Sequence, residues 1–203
     1  MNLLIDELPK YVDISGQEYK INSDFRTSIL FELLMQDSGI DDEEKTFIAI
    51  RLYYENEENK DKDFSIGVFK DLIEAMMWFY SCGKEKKEEH KEDIQGEAPE
   101  RKNNLIYSFE YDDDYIYSAF LTQYKIDLND INYLHWWKFR AMMNGLNSDL
   151  QLVKIMGYRS IEITGDMSKS EKQFYSKMKK IYALPDLRTE EEKEADFANS
   201  FSM

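Results

Sequence analysis

From Tyr107 to Arg159 apolar side chains return every three or four positions, the interval that lines one face of an α-helix. The first helical run opens at Asp112, Asp113 and Asp114, where carboxylates can accept from free backbone N–H groups and suit the positive end of the helix dipole. Ile116, Tyr117, Phe120, Leu121 and Tyr124 then form one stripe, with Ser118, Thr122 and Lys125 opposite. After Lys125-Ile126-Asp127-Leu128, Asn129 or Asp130 can cap a second run, INYLHWWKFRAMMNGL, which Gly145 or Asn147 can end. Here Ile131, Leu134, Trp136, Trp137, Phe139, Met142, Met143 and Leu146 leave almost no polar face. A helix apolar nearly all round is wrapped by its own protein or shared with a partner. This segment is therefore expected at the centre of the fold.

The same reading extends along the chain. YVDI and QEYKI alternate around Ser15-Gly16 and predict a small hairpin with Gly16 at a positive φ. Asn22 or Ser23 can cap a helix, with Asp24 in its first turn, that buries Phe25, Ile29, Leu30, Leu33 and Leu34 and stops at Gly39. Asp41 followed by Glu44 has capping-box spacing ahead of EEKTFIAIRLYYEN; this cap and the length favour a helix over a strand. FSIGVFKDLIEAMMWFYSCG predicts an amphipathic helix with Ile66, Phe69, Ile73, Met76 and Tyr80 inward and Gly83 at its C-cap. Ser148-Asp149 can start a short helix through Leu150, Val153 and Met156 to Gly157. An extended SIEIT and a last helix with Phe174, Met178, Ile181 and Tyr182 on one face follow. The fold class expected is mainly α: a helical bundle of about six to seven helices with a small N-terminal β-hairpin. It divides into a hairpin and helical half (1–83), a charged flexible connector (84–104), a helical half with the tryptophan-rich helix (105–184) and an acidic disordered tail (185–203).

Charge narrows the function. The 203 residues carry a formal net charge of -15, which repels phosphate backbones and disfavours nucleic-acid binding, while a basic protein surface would be attracted. With 42% hydrophobic and 33% charged residues the chain has the composition of a folded domain. A single cysteine, Cys82, excludes an internal disulfide, and no apolar run reaches membrane-spanning length, so a soluble, unexported protein is expected.

Candidate chemistry is sparse. Glu110, Asp112, Asp113 and Asp114 could ligate Ca²⁺ or Mg²⁺, but they lack the spacing and glycine of an EF-hand loop, and helix capping with solvation accounts for them better. His135 could serve as a general base, yet the sequence supplies no dyad or triad partner, so a packed or interface histidine is the preferred reading. Cys82 lies beside a helix end, which leaves its thiol unactivated. Trp136, Trp137 and Arg140 could stack on bases, but the acidity argues against it. The basic island Lys169, Lys172, Lys177, Lys179 and Lys180 reads as a solvated helix face. Phosphate loops, nucleophile elbows and zinc patterns are absent, so neither an enzyme, nor a cofactor, nor a metal is expected.

The runs YSFEYDDDYIYSAF, QYKIDL, YLHWWKFRAMMNGL and KIMGYR, together with DFRTSILFELLMQD and FYSCG, resemble the bacteriophage family known as gene product fifteen; the likeness spans most of residues 23 to 159. Its most specific motif is His135-Trp136-Trp137-Lys138-Phe139-Arg140. Members are typically encoded between the major tail protein and the tape-measure protein of long-tailed phages. The resemblance therefore implies a tail assembly chaperone in the host bacterial cytoplasm, absent from the mature virion. Its implied partners are the tape-measure protein, the major tail tube protein, a companion chaperone or further copies of itself, with no nucleic acid and no membrane. Trp136, Trp137, Lys138, Arg140 and Met143 are the candidate partner contacts, set against a core role for the two tryptophans. The alternatives are an acidic inhibitor that imitates DNA, which would need acids arrayed along one face, and a structural tail-completion protein.

Overall fold

A computed structural model describes residues 1–84 and 105–186. The predicted connector and tail fall outside the described residues, apart from Lys84, Pro185 and Asp186. The fold is mainly helical, as the periodicity predicts: seven α-helices among the described residues, preceded by a two-stranded antiparallel hairpin. Strand β1 (Tyr11–Ile14) pairs with β2 (Gln17–Lys20) in the register Tyr11 to Lys20 and Ile14 to Gln17. Both turn residues, Ser15 and Gly16, have positive φ (52° and 81°), the backbone a two-residue hairpin needs to match strand twist. Val12, Ile14, Tyr19 and Ile21 point into the core.

The helices are α1 (Phe25–Gln36), α2 (Asp42–Tyr54), α3 (Ile66–Tyr80), α4 (Asp113–Tyr124), α5 (Trp136–Asn144), α6 (Gln151–Ser160) and α7 (Lys169–Ile181), with a 3₁₀ turn at Glu57–Asn59. Asp41 caps α2 by accepting from the Glu44 N–H, as predicted. Several boundaries differ from the sequence reading. Asp24, rather than Asn22 or Ser23, caps α1 by accepting from the Arg26 N–H, and α1 stops at Gln36, before Gly39. Helix α5 is shorter than predicted and starts at Trp136, because residues 134–136 run antiparallel to 23–25: Phe25 N–H donates to the Leu134 carbonyl (2.9 Å) and Trp136 N–H to that of Ser23 (2.9 Å). Asn129 and Asp130 cap nothing; their N–H groups donate to Asp127 in a turn. Helix α6 starts at Gln151 and continues past Gly157 to Ser160, and SIEIT pairs with no strand.

Packing joins the two halves of the sequence into one hydrophobic core. Phe25, Phe31, Tyr53 and Phe79 from the first half meet Phe120, Trp136, Phe139 and Met143 from the second. Phe139 stacks on Phe25 and on Phe120, both at 4.9 Å between centroids, and on Trp136 at 5.7 Å. Aromatic pairs add to area burial when offset or tilted in this way. On α3 Leu72, Met76 and Phe79 are buried, Phe69, Ile73 and Tyr80 of the predicted stripe pack against the core while partly exposed, and Ile66 is 94% exposed. On α4 the buried positions are Ile116, Ala119 and Phe120, with Leu121 exposed. Helix α7 has a full capping box between Ser168 and Glu171 but buries no residue completely; it rests on α6 through Tyr158, which contacts Phe174 and Tyr182.

Candidate functional site

The hexapeptide at 135–140 shows what its residues are used for. His135 caps α5: its Nδ1 accepts from the Trp137 N–H (3.1 Å), which leaves the proton on Nε2, 3.0 Å from the Pro9 carbonyl it donates to. Burial lowers its pKa, opposed by the Pro9 bond and assisted by the nearby charges of Lys138 and Lys10, so the ring is held neutral. Both nitrogens are thus engaged in structure, and the histidine has no free one for proton transfer. Trp136 Nε1–H donates to the Tyr80 carbonyl (2.9 Å) and Trp137 Nε1–H to that of Phe79 (2.7 Å). These are carbonyls of the last turn of α3; that of Phe79 also accepts from the Cys82 N–H (3.0 Å), whereas neither accepts from an i+4 N–H because the helix ends here. Two neighbouring indoles therefore bind the end of α3 to the start of α5.

Among the predicted partner contacts, Trp136, Trp137 and Met143 are buried inside this chain, Lys138 is exposed and Arg140 is partly exposed. Arg140 lies over the Trp136 ring, 5.2 Å from its centroid, and 4.0 Å from Glu32. Glu32 accepts from the Tyr80 hydroxyl at 2.6 Å; burial pushes its carboxyl pKa up, against the lowering effects of Tyr80 and Arg140. Cys82 is half-buried and its thiol is pushed up by burial, in line with the unactivated thiol predicted.

The acidic cluster separates into two behaviours. Asp113 and Asp114 are exposed in the first turn of α4. Asp112 makes no cap there, contrary to expectation: its carboxylate is buried, takes two hydrogen bonds from Arg159 and one from the Ser108 N–H (2.9 Å). Among the described residues no group of three or more His, Cys, Asp or Glu side chains is arranged to hold a metal ion.

Sequence reasoning missed an apolar groove of about 820 Å³ between α2, the 3₁₀ turn and the start of α3. Phe47, Ile50, Arg51 and Tyr54 line it at helical spacing from α2, and Phe64 and Phe69 form the opposite wall. Phe47 is 51% and Phe64 41% exposed, and Phe47 meets Phe69 at 5.0 Å. Buried Asn59 fixes the end of the groove: its Nδ2 donates to the Lys20 (2.7 Å) and Tyr54 (2.9 Å) carbonyls while its Oδ1 accepts from the Lys20 N–H (3.0 Å). The signal available beforehand was Phe64, an aromatic outside any helical stripe. A second, shallow hollow of about 590 Å³ lies among Lys169, Lys172, Lys177 and Lys180 on the outer side of α7, where the basic island was expected. No helix among the described residues is long and apolar enough to cross a membrane.

Neither the curated proteins nor the solved structures yield a match to this chain. The family model described as Bacteriophage Gp15 protein matches residues 4–184, further in both directions than the stretches that carry the resemblance. With that match running from the segment before the hairpin to the residues just after α7, the chain belongs to the bacteriophage Gp15 protein family.

Proposed function

We propose that this protein is a non-enzymatic tail assembly chaperone that binds the tape-measure protein, the tail tube protein or both during tail morphogenesis. The observation that carries the reading is the open aromatic groove beside the packed helical core, in a chain of a bacteriophage family. A tape-measure protein is a long, largely helical chain whose apolar stripes would associate prematurely unless covered until the tube forms around it. An aromatic trough can cover such a stripe by helix-in-groove packing. Release must remain possible: a micromolar site, about 8 kcal/mol, is occupied in the cell yet displaceable by polymerising tube subunits. The net charge of -15 keeps the chaperone from adhering to phage and host DNA. The protein acts in the host cytoplasm and leaves before the particle is complete.

Co-expression with tagged tape-measure and tube proteins tests this. Retention of the chain by one of them, with the chain missing from purified virions by mass spectrometry, is the expected result. Retention by neither would overturn the proposal.

A further inference from the structure

The surface by which this protein takes hold of its client can be narrowed. We infer that the groove between α2 and α3 is a docking site for a single amphipathic helix whose apolar stripe is flanked by lysine or arginine; this rests on the chaperone reading and gives it a place on the molecule. The tryptophan-bearing helix is excluded from that role by its own packing, since both indoles are buried and hydrogen-bonded to α3.

Shape argues for a helix. The groove wall on α2 is the stripe Phe47, Ile50, Arg51 and Tyr54, which spans about 10 Å at the usual helical rise, or two turns. The lining comes from α2, α3, the 3₁₀ turn and the loops between them, with no strand edge in it, so a guest could not satisfy its backbone by adding a strand and must carry its own hydrogen bonds. A volume of about 820 Å³ accommodates several large aliphatic side chains from one face of such a helix.

Charge argues for a basic one. The charges that line the groove are balanced, Glu55 and Glu57 against Arg51 and Lys60, and the excess of acid lies at the α2 end, where Asp42, Glu43 and Glu44 are exposed. Arg51 and Glu55 are paired to each other at 3.1 Å, and Glu58 is taken up by Lys20 and the Tyr11 hydroxyl, so neither adds to that excess. Glu43 and Glu44 continue the Phe47 face one turn toward the N-terminus of α2. A guest with basic flanks would meet an acidic rim at the α2 end, and an acidic guest would be repelled.

Fluorescence anisotropy with labelled peptides tiling the tape-measure protein, titrated with the full chain, tests the inference. Peptides that carry an apolar i, i+3, i+4, i+7 stripe with lysine or arginine beside it should bind. Phe47→Asp with Phe64→Asp should weaken binding at least tenfold, while circular dichroism shows the fold unchanged, since both side chains are already half in water. Leu121→Asp, an exposed apolar position on α4 outside the groove lining, should leave binding intact. Capture of full-length tape-measure protein by wild-type and doubly substituted chain separates the two levels of the argument. Equal capture by both overturns the groove and leaves the chaperone reading standing, whereas no capture by the wild type overturns that reading itself. Binding of acidic stripes as tightly as basic ones would overturn the charge selection. Concentration-dependent self-association abolished by the same substitutions would overturn the client helix in favour of a second copy.

Discussion

Arg159 grips Asp112 with two hydrogen bonds, 2.6 Å from Nη1 and 2.9 Å from Nη2, at a carboxylate only 1% exposed. The same guanidinium donates to the carbonyls of Ile106 (3.1 Å) and Tyr182 (2.6 Å), so one side chain of α6 ties together the approach to α4 and the end of α7. Removing one partner of a buried ion pair leaves the other charge uncompensated, typically about 3–5 kcal/mol. Asp112→Asn or Arg159→Ala should each lower unfolding free energy by about that amount in urea titrations. The double variant should lie well short of the sum, because the second substitution removes the stranded charge.

Gly83 provides a second test of how the aromatic centre is held. Its φ of +65° lies in the left-handed region, its N–H donates to the Trp78 carbonyl (2.9 Å), and an added Cβ would come within 3.0 Å of Cη2 of the Trp137 indole. Gly83→Ala therefore combines backbone strain of about 1–2 kcal/mol with displacement of a buried ring. The expected outcome is a lower urea midpoint together with a changed tryptophan emission, because Trp137 must shift. An unchanged emission would mean that the loop moves instead of the indole.

These two sites show what was legible in the sequence and what was not. The hairpin, α2 with its Asp41 cap and the central place of Trp136 and Phe139 follow from local periodicity and turn chemistry, which short stretches of chain carry on their own. Three consecutive aspartates before an apolar run signal a helix start, but the partner that takes up the Asp112 carboxylate lies 47 residues away. Helix α5 starts later than its pattern predicts for a similar reason. Ile131 and Leu134 keep the helical interval, but the bridge to residues 23–25 holds that stretch extended, an instance of tertiary hydrogen bonding prevailing over pattern. The groove escaped notice because Phe47 and Phe64 come from separate segments, and only the fold sets them facing one opening with both partly in solvent.

The neutral state of His135 gives stability a pH dependence of known sign. Its folded pKa lies below the ordinary 6.5, so the unfolded chain binds the proton more readily, and stability should fall as pH drops below about 6.5 toward the folded value. Glu32 acts in the opposite sense: its folded pKa is raised above the ordinary 4.5, so the folded chain binds the proton more readily. Its carboxyl therefore destabilises the fold progressively as pH rises from about 4.5 through that raised value. His135→Asn keeps a side chain suited to capping and removes the titration, so the acid loss attributable to the histidine should vanish. Glu32→Gln should steepen the remaining loss on acidification. Urea unfolding of both variants between pH 4.5 and 8 separates the contributions, and an unaltered profile in His135→Asn would reject the assignment.

Substitutions within the hexapeptide should separate folding from partner contact. Trp136→Phe and Trp137→Phe keep most of the apolar area; the first removes the indole donor from the Tyr80 carbonyl and should lose about 1–3 kcal/mol of stability, whereas the second leaves the Phe79 carbonyl its bond from the Cys82 N–H and should lose about 0.5–1.5 kcal/mol. Lys138→Ala touches an exposed side chain and should stay within about 0.5 kcal/mol of wild type. Arg140→Ala uncovers the Trp136 face and removes the cation nearest Glu32, so its effect should fall between the two and depend on pH through that carboxyl. If the tryptophans serve the fold alone, capture of the tape-measure protein at a temperature where all four variants remain folded should be equal in Trp136→Phe, Trp137→Phe and wild type. A loss of capture confined to Lys138→Ala or Arg140→Ala would mark the exposed side of α5 as a second contact surface beside the groove. A loss in a folded tryptophan variant would instead mean that the indoles leave the core when the client arrives.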